Sequence, residues 1–575
     1  MSAEVQFIPP YNLKFKKGFW TDDDIMTATC LNFIADSKEG SYLCDVRITA
    51  PDSIMYFLNT AFPHFMMSAN MKWKRETLFK NLNNCHNKIF RHFADNLYPR
   101  LQYPKHLYKH QAESLSLMVH RKYNLLSFEQ GLGKTITSAS ITQMLNLNRT
   151  VIVCPALVKW NWYHDLSDSW AFDRLTFTIL DSKKSKSIRA FDERFLIVNY
   201  EIIEKYWQYI VKDKIDHIIV DECHYAKNHK TKRFKNLSKL VKHADCRVTL
   251  LSGTPITNRV NDLFAYCKLI GHPLGKNHNA FMQEYTVRSG VRGGRVIGAK
   301  NIDILRGRMS NFMIRKKTEE CLDLPKLIIN NCYFDMDELR EEYDQTLETL
   351  HKNRQEYENA KSEQQKAMIG GKARMNIHSL NRIVATSKAK KIKELIDSLW
   401  EQERKAIVFA GYKSALTELE NIYQGNCVKI DGSVDSHKRQ QLIDRFINDP
   451  KCHVFLGNFK AAGVGINLVN ACDVIFMNFP FTPDDIEQPY KRAHRIGQKK
   501  NVNVHYTMAR GTIDEYIYNM LIDKSNDINE LVDHGKQGVI DYSNVPSMLF
   551  NKLVNAYRKE RGINEEVKEE FISIK

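Results

Sequence analysis

Short apolar runs alternate with longer amphipathic stretches through the middle of this 575-residue chain. The runs are almost continuously apolar, which is typical of strands buried on both faces of a parallel sheet. The amphipathic stretches have helical spacing, so the pattern predicts α/β lobes in which helices cover parallel sheets. From Leu101 onwards, the first set of predicted strands is Asn124–Phe128, Thr150–Cys154, Phe195–Asn199, His217–Val220 and Arg247–Leu251.

A second set of strand-length runs follows a long charged segment. Residues Met336–Leu399 show helical spacing without a strand pattern, and the pattern breaks only at Gly370-Gly371. The next predicted strands are Ala406–Phe409, Val428–Ile430, His453–Leu456, Val474–Met477 and Val502–Tyr506. We therefore predict an N-terminal α+β accessory module (1–100), a first lobe (101–330), a helical linker (331–400), a second lobe (401–530) and a C-terminal helical segment with a tail (531–575).

Candidate chemistry centres on Phe128–Thr135, FEQGLGKT, which follows a predicted strand and precedes a helical pattern. Gly131 and Gly133 allow close backbone approach, and a helix N-terminus favours anions. Strand, glycine turn and helix are the context of a phosphate-binding loop. Lys134 would reach nucleotide phosphates, and the hydroxyl of Thr135 would bind Mg²⁺. The segment begins with phenylalanine where the motif has glycine, so a chance match is the alternative.

An acidic pair follows the predicted strand His217–Val220 in the same lobe. The carboxyl ends of strands in α/β sheets are where ligands bind. Asp221 would hold Mg²⁺ through water, and Glu222 would act as general base toward the attacking water. A solvated acidic pair at the start of a loop is the alternative interpretation.

The net charge of the chain indicates a second partner besides the nucleotide. Lys and Arg total 84 against 67 Asp and Glu, a formal charge of +17, which favours a polyanionic partner.

The 12 cysteines form no C-x-x-C pair, which predicts reduced thiols and no structural zinc. The N-terminus lacks a signal-peptide pattern, and no apolar run reaches 18 residues. We therefore expect an intracellular protein of cytoplasm or nucleoid that is not secreted and has no membrane partner.

The second lobe carries a basic segment, QPYKRAHRIGQ. Arg492 and Arg495 are three residues apart and would share one face of a helix. Two guanidiniums on one face suit a γ-phosphate, as arginine fingers do. A basic helix that faces DNA is the alternative. Upstream, KAAGVGINL is a glycine-rich loop suited to close approach to a phosphate or a backbone, and it contains Gly465 and Asn467.

Taken together, GLGKT, DECHYAKN, LSGTPITN, AAGVGINL and RAHRIGQ, in this order, resemble the Swi/Snf-type ATPases, which are DNA translocases of helicase superfamily two. The resemblance covers about Leu101 to Ile517. The short spacing between the lobes is similar to that of compact fork-remodelling and strand-annealing members. The resemblance implies two RecA-like lobes, ATP and Mg²⁺ as cofactors, and double-stranded or forked DNA as partner.

The same resemblance implies roles for further residues. Gln111 resembles the glutamine that recognises adenine, and Gly465 would contact the nucleotide. The residues expected to contact DNA or couple it to hydrolysis are Lys159, Trp160, Ser252, Thr254, Asn467 and Gln488. Residues Phe479–Pro483 and Pro489 depart from the family pattern, which puts the DNA coupling of the second lobe in question.

We expect an ATP-driven motor that tracks along duplex DNA and remodels DNA or protein–DNA complexes without obligatory strand separation. A strand-separating helicase of the same superfamily is the first alternative, and a nucleotide-regulated DNA clamp is the second. The basic-aromatic runs Lys14–Trp20 and Met71–Arg75 would suit a displaced single strand. The preferred interpretation is the outside of a small α+β module that has the aromatic side chains in its core. The absence of a chromatin-reading module in this sequence favours a bacterial or viral host.

Overall fold

The computed structural model describes residues 107–562, except 170–176, 181–193, 254–259, 261, 289–295, 337–338, 435, 460–465 and 530–544. Before residue 107 it describes 4–8, 12–16, 20–36, 41–45 and a few positions between 54 and 81. The chain divides into two compact units, one reaching Leu322 and the other beginning at Asp323.

The N-terminal module contains a four-stranded antiparallel sheet and a helix, Asp22–Cys30. Its strands are β1 (Glu4–Ile8), β2 (Asn12–Lys16), β3 (Ile34–Asp36) and β4 (Ser41–Asp45). They pair in the order β1-β2-β4-β3. Leu13 and Phe15 are fully buried in the module core, so Lys14 and Lys16 lie on the opposite face of the sheet.

A buried arginine attaches the N-terminal helix to the first lobe. Arg308 is 1% exposed, and its Nη1 donates to Glu284 Oε1 at 2.6 Å and to Tyr285 Oη at 2.7 Å. Its Nη2 donates to Asp23, and its Nε donates to Thr27 Oγ1 at 3.2 Å. One buried cation therefore binds groups from both parts, which belong to the same compact unit.

The first lobe is built on a seven-stranded parallel sheet. Strands β5 to β13 are, in chain order, Tyr123–Phe128, Thr150–Cys154, Phe177–Ile179, Phe195–Asn199, His217–Val220, Arg247–Leu251, Thr286–Arg288, Val296–Ala299 and Met313–Lys316. The sheet order is β13-β5-β10-β9-β6-β8-β7, while β11 and β12 form a separate antiparallel pair. The helices of this lobe are Lys109–Met118, Lys134–Met144, Lys159–Ser169, Trp207–Ile210, Lys232–Ala244, Asp262–Leu269, His278–Tyr285, Ile302–Met309 and Thr318–Cys321.

The second lobe has its own six-stranded parallel sheet. Strands β14 to β19 are Leu327–Phe334, Ala406–Ala410, Cys427–Ile430, Val454–Asn458, Asp473–Phe476 and Val502–Ala509. They lie in the order β14-β19-β18-β15-β17-β16. Helices outside the charged segment are Lys413–Ile422, Ser436–Asn448, Asp484–Tyr490, Ile513–Asn529 and Val545–Glu560. The two parallel sheets confirm the predicted α/β class.

The charged segment forms the helices Arg340–Asn359, Glu363–Ser387 and Ala389–Trp400, and it belongs to the second unit. The predicted break at Gly370-Gly371 is wrong, because the middle helix runs through both glycines. Its buried face includes Ile377 and Leu380, which join the core of the second lobe. Tertiary packing therefore outweighs the low helix propensity of glycine here.

The prediction missed strands that lack a continuous apolar run. Edge strand β14 exposes Ile329 and Tyr333 by about half, and its interior contains the polar pair Asn330-Asn331. Its position follows from pairing with β19, which is a long-range contact. Among the described residues, no helix is both long and apolar enough to span a bilayer. The cysteines in the described part of the chain are free thiols, and most are buried.

Candidate active site

Three neighbouring strands of the first lobe lead into the predicted catalytic segments. β5 leads into the phosphate loop, β10 into the SGTP segment and β9 into the DE pair. Parallel pairing sets Leu250 of β10 beside Leu125 on one side and Val220 on the other. The three segments therefore leave the same edge of the sheet at adjacent positions.

The phosphate loop adopts the tight turn that its glycines predict. Gly131 and Gly133 have φ values of 87° and 79°, in the left-handed region that favours glycine. The following helix begins at Lys134. The Nζ of Lys134 donates to the backbone carbonyl oxygens of Phe128 at 2.9 Å and Glu129 at 3.3 Å. The ammonium is thus held beside its own loop at a helix N-terminus.

The structure explains why phenylalanine is tolerated at position 128. Phe128 is the last residue of β5, and its side chain is fully buried, with its ring edge-on to that of His110. The left-handed turn begins only at Gly131, so position 128 needs no glycine. Only the backbone carbonyl of Phe128 is required for the contact with Lys134.

Gln111 lies against the phosphate loop and is 3% exposed. Its Nε2 donates to Leu132 O at 3.1 Å, and its Oε1 accepts from the backbone N–H of Tyr108 at 3.1 Å. A Cβ at Gly133 would lie 2.3 Å from this Nε2. Gln111 therefore holds the loop at Leu132. Its expected contact with adenine stays a prediction.

Sequence reasoning missed a link made by Arg315 of β13. Its Nη1 donates to Ser127 O at 3.2 Å and to Gly253 O at 3.0 Å, and its Nη2 donates to Glu129 Oε1 at 3.4 Å. The guanidinium joins the end of β5 to the turn after β10. The stretch FMIRKK contains this arginine, but only the pairing of β13 with β5 reveals its partners.

Two protein donors hold the carboxylate of Asp221. Oδ2 accepts from Trp162 Nε1 at 2.8 Å, and Oδ1 accepts from the backbone N–H of Glu222 at 2.9 Å. Burial and the charge of Glu222 raise the pKa of Asp221 to about 6, while the Trp162 bond and the Lys134 ammonium lower it. The positive charge of Lys134 thus favours the ionised form of this carboxylate.

Glu222 sits in a backbone conformation that is uncommon for residues other than glycine. Its φ is 47° and its ψ is 54°, in the left-handed region. Its carboxylate Oε2 lies 3.3 Å from His224 Nδ1, and the side chain is 15% exposed. Strained backbone of this kind often occurs at functional sites. The turn thus presents a partly accessible carboxylate directly after the buried strand β9.

In the second lobe, the arginine pair lies just beyond a short helix. The helix ends at Tyr490, and Pro489 lies inside its last turn. Tight turns follow, in which the backbone N–H of Arg492 donates to the carbonyl of Pro489 at 3.1 Å. The prediction that Arg492 and Arg495 share a helix face is therefore wrong, because the helix ends before both residues.

Gln498 holds the turns that carry these arginines and is 8% exposed. Its Oε1 accepts from the backbone N–H groups of Lys499 and Lys500, each at 2.9 Å. Its Nε2 lies within hydrogen-bonding distance of the carbonyl oxygens of Val469, Ala471 and Ala493, at 3.2, 3.0 and 3.1 Å. One buried amide therefore ties the RAHRIGQ segment to the start of β18.

The donor set of the first lobe fits a magnesium nucleotide. An ammonium at a helix N-terminus, here Lys134, suits phosphate oxygens. The hydroxyl of Thr135 and the carboxylate of Asp221 are oxygen ligands of the kind that Mg²⁺ prefers, with water completing its shell. In the described part of the chain, no cluster of three or more His, Cys, Asp or Glu side chains could hold a metal ion.

Comparison with known proteins decides the family. An SNF2-related domain matches residues 110–390, and a helicase conserved C-terminal domain matches residues 387–497. A SWI/SNF-related matrix-associated actin-dependent regulator of chromatin subfamily A-like protein 1 homolog of Caenorhabditis elegans is 30% identical over 434 residues, covering 73% of this chain and 61% of the relative. The chain belongs to the Snf2 family.

Two other Snf2 relatives match less of their own length. DNA annealing helicase and endonuclease ZRANB3 of Homo sapiens is 28% identical over 422 residues, covering 69% of this chain and 37% of the relative. TATA-binding protein-associated factor mot1 of Schizosaccharomyces pombe is 24% identical over 557 residues, covering 81% of this chain and 28% of the relative. This chain thus spans less than two thirds of each. The three relatives are eukaryotic, so the comparisons give the expected bacterial or viral host no support.

The first-lobe residues that were expected to contact DNA differ in how exposed they are to solvent. Lys159 is 7% exposed, and its Nζ donates to Leu180 O at 2.9 Å. The structure therefore does not support the expected DNA contact for Lys159, because its ammonium is used inside the lobe. Trp160 is partly exposed beside Tyr163, with ring centroids 5.7 Å apart. Ser252 is fully buried.

In the second lobe, Asn467 is exposed and Gln488 is partly buried in the helix that ends at Tyr490. Their roles toward DNA stay predictions. Several expected site residues lie outside the described part of the chain. These are Thr254, Gly465, Met71–Arg75 and the centre of the run Lys14–Trp20.

Proposed function

We propose that this chain hydrolyses ATP with Mg²⁺ and uses the free energy to move along duplex DNA, remodelling DNA or protein–DNA complexes without obligatory strand separation. The observation that carries the proposal is that the loop of Lys134 and the acid Asp221 leave the same edge of one parallel sheet, after β5 and β9, which both pair with β10. A phosphate-binding cation and a metal-holding acid within reach of each other are what phosphoryl transfer requires.

Each residue has a separate role in this proposal. Lys134 would neutralise phosphate charge, while Thr135 and Asp221 would hold Mg²⁺. Glu222 would accept a proton from the attacking water. Arg492 and Arg495 would stabilise the charge that develops on the transferred phosphoryl group. A bound magnesium nucleotide supplies the phosphoanhydride bond whose hydrolysis releases the free energy.

Duplex DNA is the partner that charge and family membership support together. The formal charge of +17 favours binding to a phosphate backbone, with an affinity that falls as salt rises. ZRANB3 is named a DNA annealing helicase and endonuclease, and annealing pairs two strands instead of separating them. Among the described residues, Trp160 and Asn467 are the surface candidates for this contact.

We also propose that forked DNA stimulates hydrolysis at least as well as plain duplex. Lys14 and Lys16 project from the face of the N-terminal sheet opposite its core, where a displaced strand would find positive charge. Removing residues 1–100 would leave the buried guanidinium of Arg308 without Asp23 and Thr27. The double substitution Lys14→Ala/Lys16→Ala is therefore the cleaner test, and it should lower fork preference more than the basal rate.

Displacement of a third strand from a triplex tests movement along duplex DNA. The chain should release a labelled triplex-forming strand with ATP but not with a non-hydrolysable analogue, and Lys134→Ala should release none. It should not release a strand from a simple tailed duplex. Efficient release from the tailed duplex would assign the chain to the strand-separating helicases. ATP-dependent binding with neither activity would indicate a clamp.

A further inference from the structure

Two aromatic side chains of the first lobe, Trp162 and Tyr200, both donate hydrogen bonds to Asp221 of the candidate active site. The indole Nε1 of Trp162 donates to Oδ2 of Asp221 at 2.8 Å. The hydroxyl of Tyr200 donates to the backbone carbonyl oxygen of Asp221 at 2.7 Å. Trp162 is 2% exposed and Tyr200 is fully buried. Asp221 is therefore held from two directions, at its side chain and at its backbone.

The helix that carries Trp162 has a second face toward the surface. Trp160 and Trp162 are two residues apart, which is roughly 200° around a helix. Trp160 is accordingly partly exposed and packs beside Tyr163 and His164, while Trp162 points to Asp221. A shift of this helix caused by a ligand at Trp160 would also move the indole N–H.

Tyr200, which directly follows β8, also lies next to a residue at the surface. The next residue, Glu201, is 45% exposed, accepts from Asn199 Nδ2 at 2.7 Å and pairs with Arg233 at 2.8 Å. The segment thus has one side chain directed inward to Asp221 and its neighbour on the surface. Tyr200 Oη also lies 3.4 Å from the carbonyl oxygen of Glu222, the residue with positive φ.

Buried tryptophan and tyrosine side chains usually find hydrogen-bond partners, so each bond alone is compatible with ordinary packing. These two bonds differ from ordinary packing because both are accepted by the same residue, Asp221. Both carboxylate oxygens of Asp221 accept from protein donors, and one of these is the indole of Trp162. The orientation of this carboxylate consequently depends on the position of a helix that reaches the surface at Trp160.

We propose that Trp162 and Tyr200 are positioning residues through which duplex binding sets the orientation of Asp221, and thereby the affinity for magnesium nucleotide. The inference rests on the proposed function, because it needs a chain that responds to DNA. It assigns the two residues no contact with nucleotide or DNA. They act through Asp221, whose orientation they fix.

The test uses the full chain and the variants Trp162→Phe, Tyr200→Phe and the double variant. Tyr200→Phe removes only a hydroxyl group, whereas Trp162→Phe removes the indole N–H together with part of a buried ring. Affinity for a fluorescent ATP analogue is measured with Mg²⁺ and with EDTA, each without DNA and with saturating duplex. In the wild type, duplex should tighten binding in Mg²⁺ but not in EDTA. In the double variant this DNA effect should fall on the order of tenfold, which matches loss of one hydrogen bond to a charged group.

Two matched variants separate positioning from packing. Tyr163→Phe lies on the same helix and should keep the wild-type DNA effect. Trp160→Phe should weaken DNA affinity yet keep the effect at saturating duplex. In EDTA, every variant should bind the ATP analogue with wild-type affinity. A misfolded lobe would instead bind it more weakly.

The inference is overturned if Trp162→Phe, Tyr200→Phe and the double variant all keep the wild-type DNA effect. It is also overturned if wild-type affinity in Mg²⁺ does not respond to duplex although DNA stimulates hydrolysis. Loss of the proposed function has a different signature, since the wild type would then hydrolyse ATP at the same rate with and without any DNA.

Discussion

The ammonium nitrogen of Lys134 lies 2.9 Å from the backbone carbonyl oxygen of Phe128. A carbonyl is a neutral acceptor, so a phosphate oxygen would compete well for the same ammonium. The loop has a further contact, because Gln111 Nε2 donates to Leu132 O at 3.1 Å. This contact does not involve Lys134, so it remains available when the lysine turns to a nucleotide.

Lys134→Ala should abolish nucleotide turnover while the fold is retained. Loss of the phosphate-binding charge should cost on the order of 10² or more in hydrolysis rate. Lys122→Ala is the matched control, because Lys122 forms a surface pair with Asp245 at 2.7 Å. Steady-state hydrolysis with saturating DNA checks this. A near-normal rate for Lys134→Ala would show that the catalytic site lies elsewhere.

Glu222→Gln should bind ATP and DNA with near wild-type affinity but turn over slowly. The amide keeps the shape of the side chain and cannot accept a proton, so the rate should fall roughly 10²- to 10⁴-fold. The control Glu204→Gln removes an exposed acid that pairs with Lys232. Nucleotide binding and single-turnover hydrolysis are measured side by side. A large loss of affinity would instead assign Glu222 a structural role.

Arg492→Ala and Arg495→Ala should each lower kcat more than they raise KM. An arginine that stabilises transition-state charge contributes on the order of 10³ or more in rate. Arg445→Ala, at a partly exposed pair with Asp449 in the same lobe, is the control. Normal hydrolysis combined with weak DNA binding in both variants would support the alternative of a DNA-facing basic segment.

Arg308→Met should detach the N-terminal helix and destabilise the first unit. Removing one partner of a buried ion pair costs about 3 kcal/mol, at the low end of the range, because Asp23 is 65% exposed. The midpoint of the first urea transition should fall, while Arg306→Met, at a partly exposed position of the same helix, should leave it unchanged. Equal midpoints for both variants would mean that the module is held by other contacts.

His505 should make the stability of the second lobe depend on pH. Burial lowers its pKa, but the bond to Asp473 at 3.2 Å and the neighbouring Cys332 outweigh burial and raise it to about 9. Arg404 and Asn503 also contact this carboxylate. The raised pKa stabilises the fold fully below pH ~6.5, by up to about 3 kcal/mol, and this contribution is lost as pH rises through 9.

The free energy of unfolding of His505→Gln, measured across pH, checks this. The variant should be less stable than wild type near pH ~6, and the difference should vanish near pH ~10. A constant difference over the whole range would contradict the pKa assigned to His505.

Sequence reasoning predicted those parts of the fold that local pattern determines. Strands such as Thr150–Cys154 and His217–Val220 have the predicted bounds, because their apolar runs are buried on both faces. It failed where tertiary contacts decide. Gly370 lies inside a helix that packing holds together, and edge strand β14 is defined by its pairing with β19.

In the candidate site, too, residue type predicts some features and tertiary contacts determine the others. The glycine turn before Lys134 follows from residue type and spacing alone. Residue type does not predict that Lys159 is buried, because lysine is normally exposed. The links from Trp162 to Asp221 and from Arg315 to Gly253 join segments about 60 residues apart, and no local pattern encodes them.

The rate of ATP hydrolysis with different nucleic acids tests the central claim most directly. The purified chain is assayed without DNA, with single strands, with blunt duplex and with forked duplex, at two salt concentrations. Duplex should stimulate hydrolysis strongly, the fork at least as much, and single strands little, and the DNA concentration for half-stimulation should rise steeply with salt. Full stimulation by single strands with none by duplex would contradict a motor that moves on double-stranded DNA.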